Sequence, residues 1–270
     1  MKKFELTTEF ITNAFGKKLF RIKALVEFGN VKAGELGGYV EKEGNISQGG
    51  NAWVYDDARV SGNAWVCDDA RVSGNAWVYD DARVSGNAWV CDDARVCDDA
   101  RVYGNAWVYD DARVSGNARV SGNARVSGNA RVSGNAWVYD DARVSGNAWV
   151  YDDARVSGNA WVCDDARVSG NAWVCGNARV SGNARVSGNA WVSGDADYAL
   201  VQGFGTEFRC TTFYRVKNKK IMVNCGCFHG DLEEFRKQVK GTRSGKIAKE
   251  YLMIADLMEY HFASEDSSNE

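Results

Sequence analysis

The side chains best suited to thiol, imidazole or metal chemistry in this 270-residue sequence are eight cysteines and two histidines, and one segment gathers three of them. Cys225, Cys227 and His229 alternate in IMVNCGCFHG. Alternation along a strand puts side chains on one face, so the three could form a thiol–imidazole pair or part of a metal site. The plainer reading is a run of small residues at a strand end, with His229 close to a helix start. It is preferred, because structural zinc sites are announced by paired C-x₂-C spacings that are missing here. His261 stands alone, and no histidine occurs in residues 1–228. A general base must lie within hydrogen-bond reach of the proton it takes, and Asp is the only repeated candidate over most of the chain. The sequence therefore nominates no catalytic residue, no metal site and no cofactor.

What positions these residues is a repeat. Residues 51–194 are 24 consecutive hexapeptides of the form Asn/Asp-Ala-Trp/Arg-Val-Ser/Tyr/Cys-Gly/Asp, with Ala always second and Val always fourth. In Ala-Trp-Val the first and third residues share a strand face, so Ala and Val point inward and Trp or Arg outward. Gly, Asn and Asp tolerate positive φ and suit a sharp corner. A helix fails, because apolar residues at period six make no stripe of period 3.6. Three hexapeptides then close one triangular coil, as hexapeptide repeats do in β-solenoids. The corner pair is Gly-Asn in 15 units and Asp-Asp in 9. Asp-Asp always precedes Ala-Arg, which suggests local charge compensation between the second Asp and the Arg.

Stacking each hexapeptide on the third one after it gives three outward columns. The first begins Trp53, Arg71, Trp89, Trp107. Across all columns 13 of 21 neighbours are Trp–Arg, and the strand spacing of ~4.8 Å brings a guanidinium within the ~6 Å reach of an indole. The same chemistry on every face favours a structural ladder over a dedicated binding face. Cys67, Cys91, Cys97, Cys163 and Cys175 take the fifth, outward position. Cys91 and Cys163 share a column 4 coils apart, roughly 19 Å at the strand spacing and far beyond the ~7 Å Cα limit of a disulfide. These are read as free thiols.

Composition sets further bounds. The formal charge is −3, and the repeat contributes 18 Asp against 14 Arg, which argues against a nucleic acid as partner. MKKFELTTEFITNAF lacks the apolar core of a secretion signal, and no apolar run is long enough to span a membrane. The expected location is the cytoplasm. Residues 51–194 contain no Thr, which disfavours an ice-binding face.

The ends differ in character. Residues 1–50 read as an N-terminal cap with degenerate first coils, a strand within 18–28, and Val31, Leu36 and Val40 facing inward. Residues 195–262 read as a small C-terminal α/β module: a strand over 210–216, a turn at 217–220, a hairpin partner over 221–228, and helices over 231–240 and 247–260. Residues 263–270 read as a disordered tail.

The alternating small and aliphatic positions resemble the left-handed parallel β-helix of hexapeptide-repeat proteins. More narrowly, LFRIKALVEFGNVKAGELGGYVEKEGNIS, the GNAxV array and TTFYRVKNKKIMVNCGCFHGDLEEF are similar to YdcK-type hexapeptide-repeat proteins of bacteria and phages. The resemblance implies a mainly β chain with a left-handed solenoid and a C-terminal cap. Hexapeptide acyltransferases share that fold. They are typically trimers that place a catalytic His near an acceptor pocket and bind acyl-CoA along the helix. This sequence departs from them in having no His and no extruded loop in the array. The expected function is a non-enzymatic scaffold or interaction protein with a protein partner, a host protein in a phage setting. The alternative is an acyl-CoA-dependent acyltransferase, and a homotrimer is compatible with either. Partner-binding candidates lie in the C-terminal module at Phe213, Tyr214, Phe228, His229 and Arg236, because exposed aromatics and Arg anchor interfaces. The Trp53, Arg71, Trp89, Trp107 column is the candidate surface ladder.

Overall fold

A computed structural model describes residues 2–13, 16–206 and 208–263; the tail expected over 263–270 falls outside them from residue 264 onward. The hexapeptides form 24 two-residue strands, β4 (Trp53–Val54) to β27 (Trp191–Val192). Each but the last three pairs in parallel with the strand three units on, as Trp89 with Trp107 and Val90 with Val108. Backbone N–H groups reach across coils, Trp89 N to Ala106 O at 2.9 Å and Cys91 N to Val108 O at 3.0 Å. Three faces result. Face I starts at Trp53, face II at Arg59 and face III at Trp65. Every Ala and Val of the repeat is buried, and they form one continuous core.

The corners explain the Gly/Asp choice. The first Asp of all nine acidic corners has φ between 52° and 60°, and the corner glycines lie in the same left-handed region. An Asp there strains the backbone, but its carboxylate compensates by accepting the corner N–H of the next coil. Gly86 N donates to Asp68 Oδ2 at 3.0 Å, Gly116 N to Asp98 Oδ2 at 2.8 Å and Gly128 N to Asp110 Oδ2 at 2.9 Å. The following position forms amide ladders: Asn87 donates to Asn105, Asn105 to Asn123, and Asn123 to Asp141. The second Asp is thus an acceptor for the coil before it. The expected Asp–Arg compensation does not form, since among the described residues no Arg of the repeat makes an ion pair. Asp68→Ala should therefore cost about 1–3 kcal/mol, from αL strain without the carboxylate plus the lost hydrogen bonds from Gly86 N and the weaker Cys67 thiol. Asp68→Gly should cost clearly less, because only the hydrogen bonds are lost. Thermal melts of the two variants test this order.

The N-terminal cap extends face II. Strand β1 (Phe4–Thr12), not expected from the sequence, pairs antiparallel with β2 (Lys18–Ala24). β2 pairs antiparallel with β3 (Leu36–Val40), and β3 joins the solenoid in parallel, Val40 opposite Val60. Val31 and Val40 are buried as expected, whereas Leu36 is exposed: the β2–β3 register shifts between the Arg21–Tyr39 and Lys23–Leu36 pairs, which breaks the alternation that would set Leu36 on the face of Val40. β3 seats closely on the first coil. A Cβ on Gly38 would lie 2.5 Å from the Ala58 carbonyl oxygen. The Lys3 ammonium is buried against the first corner, donating to Ala52 O at 3.0 Å and Gly50 O at 3.3 Å. Burial lowers its pKa to about 8, with Asp69 opposing.

At the other end β28 (Tyr198–Phe204), β29 (Arg209–Arg215), β30 (Ile221–Cys225) and β31 (Phe228–Asp231) form an antiparallel sheet in chain order. One side of it meets the last coil. Helices α1 (Leu232–Thr242) and α2 (Gly245–Phe262) pack on it through a second core that includes Phe213, Val223, Phe235 and Ile254. Asp231 caps α1, accepting from Glu234 N at 2.9 Å while Glu234 accepts from Asp231 N at 2.8 Å, the reciprocal box that fixes a helix start.

Candidate functional site

The Cys225–Cys227–His229 run is not one strand. The chain turns at Gly226 and Cys227, and His229 lies on β31 beside Asn224 of β30. The turn replaces the alternation that would have aligned the three side chains. The Cys225 Sγ accepts from Thr211 Oγ1 at 3.1 Å, while the His229 Nε2 lies 3.1 Å from the Tyr214 hydroxyl. Among the described residues no group of three His, Cys, Asp or Glu side chains is placed to hold a metal.

The module's aromatic candidates divide. Phe213 and Tyr214 are fully buried, so neither is an exposed anchor. Phe213 belongs to the helix-facing core, and Tyr214 covers the open end of the solenoid core. Adjacent residues of β29 point to opposite sides of the sheet, and here each side has a layer to bury against. Phe228 is half-buried and stacks near Phe235, ring centroids 5.5 Å apart. His229 is exposed. Arg236 is tied down by Glu233, Asp256 and Glu259 at 2.6, 2.8 and 2.5 Å. Burial works against its charge, but bonds to Glu259, Asp256 and Glu233 outweigh this and raise its pKa. It clamps α1 to α2.

Sequence reasoning missed the exposed side of α2. Met253, Leu257 and Tyr260 are 61%, 58% and 82% exposed. Their spacing of four and three positions sets them in one stripe, away from Tyr251, Ile254, Ala255 and Met258, which face the module core. The signal was available: the helix carries two apolar stripes where one would suffice for packing.

On the solenoid, Trp53 is not part of the surface ladder. It is 0% exposed, enclosed by Phe4 and Phe28 with ring centroids at 6.0 and 5.3 Å, because the N-terminal cap covers the first coil. Arg71, Trp89 and Trp107 stand in register as expected. Trp77 is sandwiched by Arg59 and Arg95 at 5.0 and 5.6 Å, and Trp149 by Arg131 and Arg167 at 4.8 and 5.1 Å. Four indoles also bond: Nε1 of Trp89, Trp137, Trp161 and Trp173 donates to the hydroxyls of Ser73, Ser121, Ser145 and Ser157 on the coil before, at 2.9 to 3.1 Å, and Trp161 lies under Arg179 at 4.6 Å as well.

The fifth repeat position, though outward, is consequently not uniformly exposed. Ser121, Ser157, Cys67 and Cys163 are buried, because a long Trp or Arg side chain from the next coil can lean across. All eight cysteines are free thiols. Burial, then Asp68, pushes the Cys67 pKa up to about 11, and burial, then a hydrogen bond to Asp92, pushes Cys91 to about 12. Both are protonated at neutral pH and poor nucleophiles. Iodoacetamide at neutral pH should label exposed Cys227 first and leave Cys67 and Cys163 unlabelled in the folded protein. Peptide mapping that finds Cys67 labelled as fast as Cys227 contradicts this.

Among curated proteins none matches this chain. The model of the YdcK beta solenoid repeat matches at residues 52–68, 64–79, 76–92, 94–110, 112–126, 124–140, 136–152, 148–163, 160–176 and 178–194, and these matches cover just over half of the sequence. The paired register, the Ala/Val core and these matches agree that the chain belongs to the YdcK beta-solenoid repeat family.

Proposed function

We propose that this is a non-enzymatic interaction protein of the cytoplasm: a rigid solenoid that holds a C-terminal recognition module at one end and engages a protein partner. The supporting observation is the unpartnered stripe Met253, Leu257 and Tyr260 on the outer side of α2. It sits on a module whose opposite side closes the solenoid, so it is displayed at a fixed position. Apolar and aromatic side chains clustered on an exposed surface are what interface hot spots are built from. The solenoid suits a spacer, since near-identical units present the same surface repeatedly and a unique site needs unlike residues.

The test is affinity capture from the native host with the intact chain and with a Met253→Ser/Leu257→Ser/Tyr260→Ser variant, partners being quantified by mass spectrometry. The expected result is a protein retained by the wild type and lost by the variant, with unchanged melting. A partner retained equally by both overturns the placement on α2. Calorimetry with acetyl-CoA is expected to give no binding. Micromolar affinity together with acetyl transfer lost in His229→Ala would replace this reading with an acyltransferase.

A further inference from the structure

Face III carries a charged surface that a plain spacer does not need. Arg83, Arg101 and Arg119 stand in register on three consecutive coils, and all three side chains are exposed. Trp65 and Trp137 bracket the row. Among the described residues none of the three arginines makes an ion pair or lies over an aromatic ring. They line a groove of about 430 Å³ together with Trp65, Ser85 and Tyr103, with Asp68 at its first-coil end.

The surroundings separate this row from its nearest counterpart. On one side it borders the neutral corners Gly86-Asn87, Gly104-Asn105 and Gly122-Asn123, laced by their own amide ladder. On the other side stand the acidic corners Asp80-Asp81 and Asp98-Asp99 and the neutral corner Gly116-Asn117. The Asp81 and Asp98 carboxylates accept from Asn63 and from Gly116 N, and among the described residues none of the four acids pairs with the arginines. Face II also has three consecutive arginines, Arg95, Arg113 and Arg131. There Arg95 lies over Trp77 and Arg131 over Trp149, so two of the three are engaged.

We propose that the face III groove binds an acidic α-helix of a partner protein, with carboxylates at i, i+3 or i+4, and i+7 meeting Arg83, Arg101 and Arg119 in turn. This rests on the reading above that the protein's partner is a protein. Spacing selects the helix. Outer arginines two coils apart are separated by roughly 10 Å at the strand spacing. A helix rises ~10.5 Å over two heptad-spaced positions, with a same-face residue midway. An extended strand repeats its face every ~6.8 Å and loses register by its third same-face position. Guanidinium forks pair well with carboxylates. Trp65, 43% exposed, offers a ring for an apolar residue one turn further on.

The test uses the full chain and two labelled alanine-based helical peptides of identical composition. One carries Glu at i, i+4 and i+7, and the other has the three Glu spread around the helix. Anisotropy at low and high salt is measured for wild type, Arg83→Gln/Arg101→Gln/Arg119→Gln, and the control Arg95→Gln/Arg113→Gln/Arg131→Gln, with melts to show that all fold. The expected result is salt-sensitive preference for the clustered peptide, weakened tenfold or more by the face III variant and unchanged by the face II variant. Equal affinity for both peptides, or an unchanged face III variant, overturns the proposal. So does an oligothymidylate that binds through the same three arginines while the peptide does not, which would make the groove a nucleic-acid site. Failure here leaves host capture through α2 intact, whereas failure of the protein-partner reading removes that capture from the wild type.

Discussion

Val120→Asp is expected to abolish cooperative folding of the solenoid. Val120 is fully buried and stacks between Val102 and Val138 in the middle of face III. The interior around it consists of Ala and Val alone, so a carboxylate there finds no donor. Losing the Val burial costs ~1.5–3 kcal/mol, and an unpaired buried charge adds several more. The total is on the order of a small domain's entire stability. Ser121→Asp, at the next position, is expected to be milder but not neutral. Ser121 is 6% exposed, and its hydroxyl accepts from Trp137 Nε1 at 3.1 Å. A larger, charged group must displace the indole that covers it, for about 1–2 kcal/mol. Circular-dichroism melts decide the matter. A Val120→Asp protein that melts like the wild type would show that the fourth repeat position does not face the core.

The same pair shows what was legible in the sequence. Inward and outward positions follow from alternation along a strand, a local property, so Ala, Val and the stacking of every third unit could be read from the period alone. What depends on a neighbouring coil could not. Burial of Ser121 requires Trp137 of the next coil, whose indole leans back over it. Burial of Trp53 requires Phe4 and Phe28, which lie before the repeat and follow no period. The Asp corners are a middle case. Their turn chemistry was legible, but the donor to each carboxylate is an N–H one coil away, so the sequence suggested the nearby Arg of the same unit instead. In the C-terminal module the strand–turn–strand–helix–helix order was legible in outline. The turn at Gly226 and Cys227, which makes β31 a separate strand, was hidden by a run that alternates well enough to pass for one strand. Phe213 and Tyr214 looked like anchors because aromatic type is visible in sequence, whereas the two layers that bury them are not.

A chain ending after Asp197 is expected to self-associate. Its last strands, β25 (Arg179–Val180), β26 (Arg185–Val186) and β27 (Trp191–Val192), would form an open parallel edge over an apolar core, the arrangement that promotes edge-to-edge pairing. In the intact chain that edge is closed at specific atoms. Arg185 N donates to Thr212 Oγ1 at 2.9 Å, and Asn224 Nδ2 donates to Arg185 O at 2.8 Å and to Ser187 Oγ at 3.0 Å. Val216 bridges to Ala190, and Tyr214 covers the core. Each buried backbone group left unpaired costs about 1–3 kcal/mol, and pairing with a second copy relieves the cost. Size-exclusion chromatography with light scattering should show the truncated chain in higher assemblies than the intact one, increasing with concentration. Thr212→Val/Asn224→Leu tests the same closure without removing the module: it should lower the melting temperature while Tyr214 still blocks association. A truncated chain that stays in the assembly state of the intact protein and melts at the same temperature would mean that the module does not close the solenoid. Its residues would then be free for recognition on both sides.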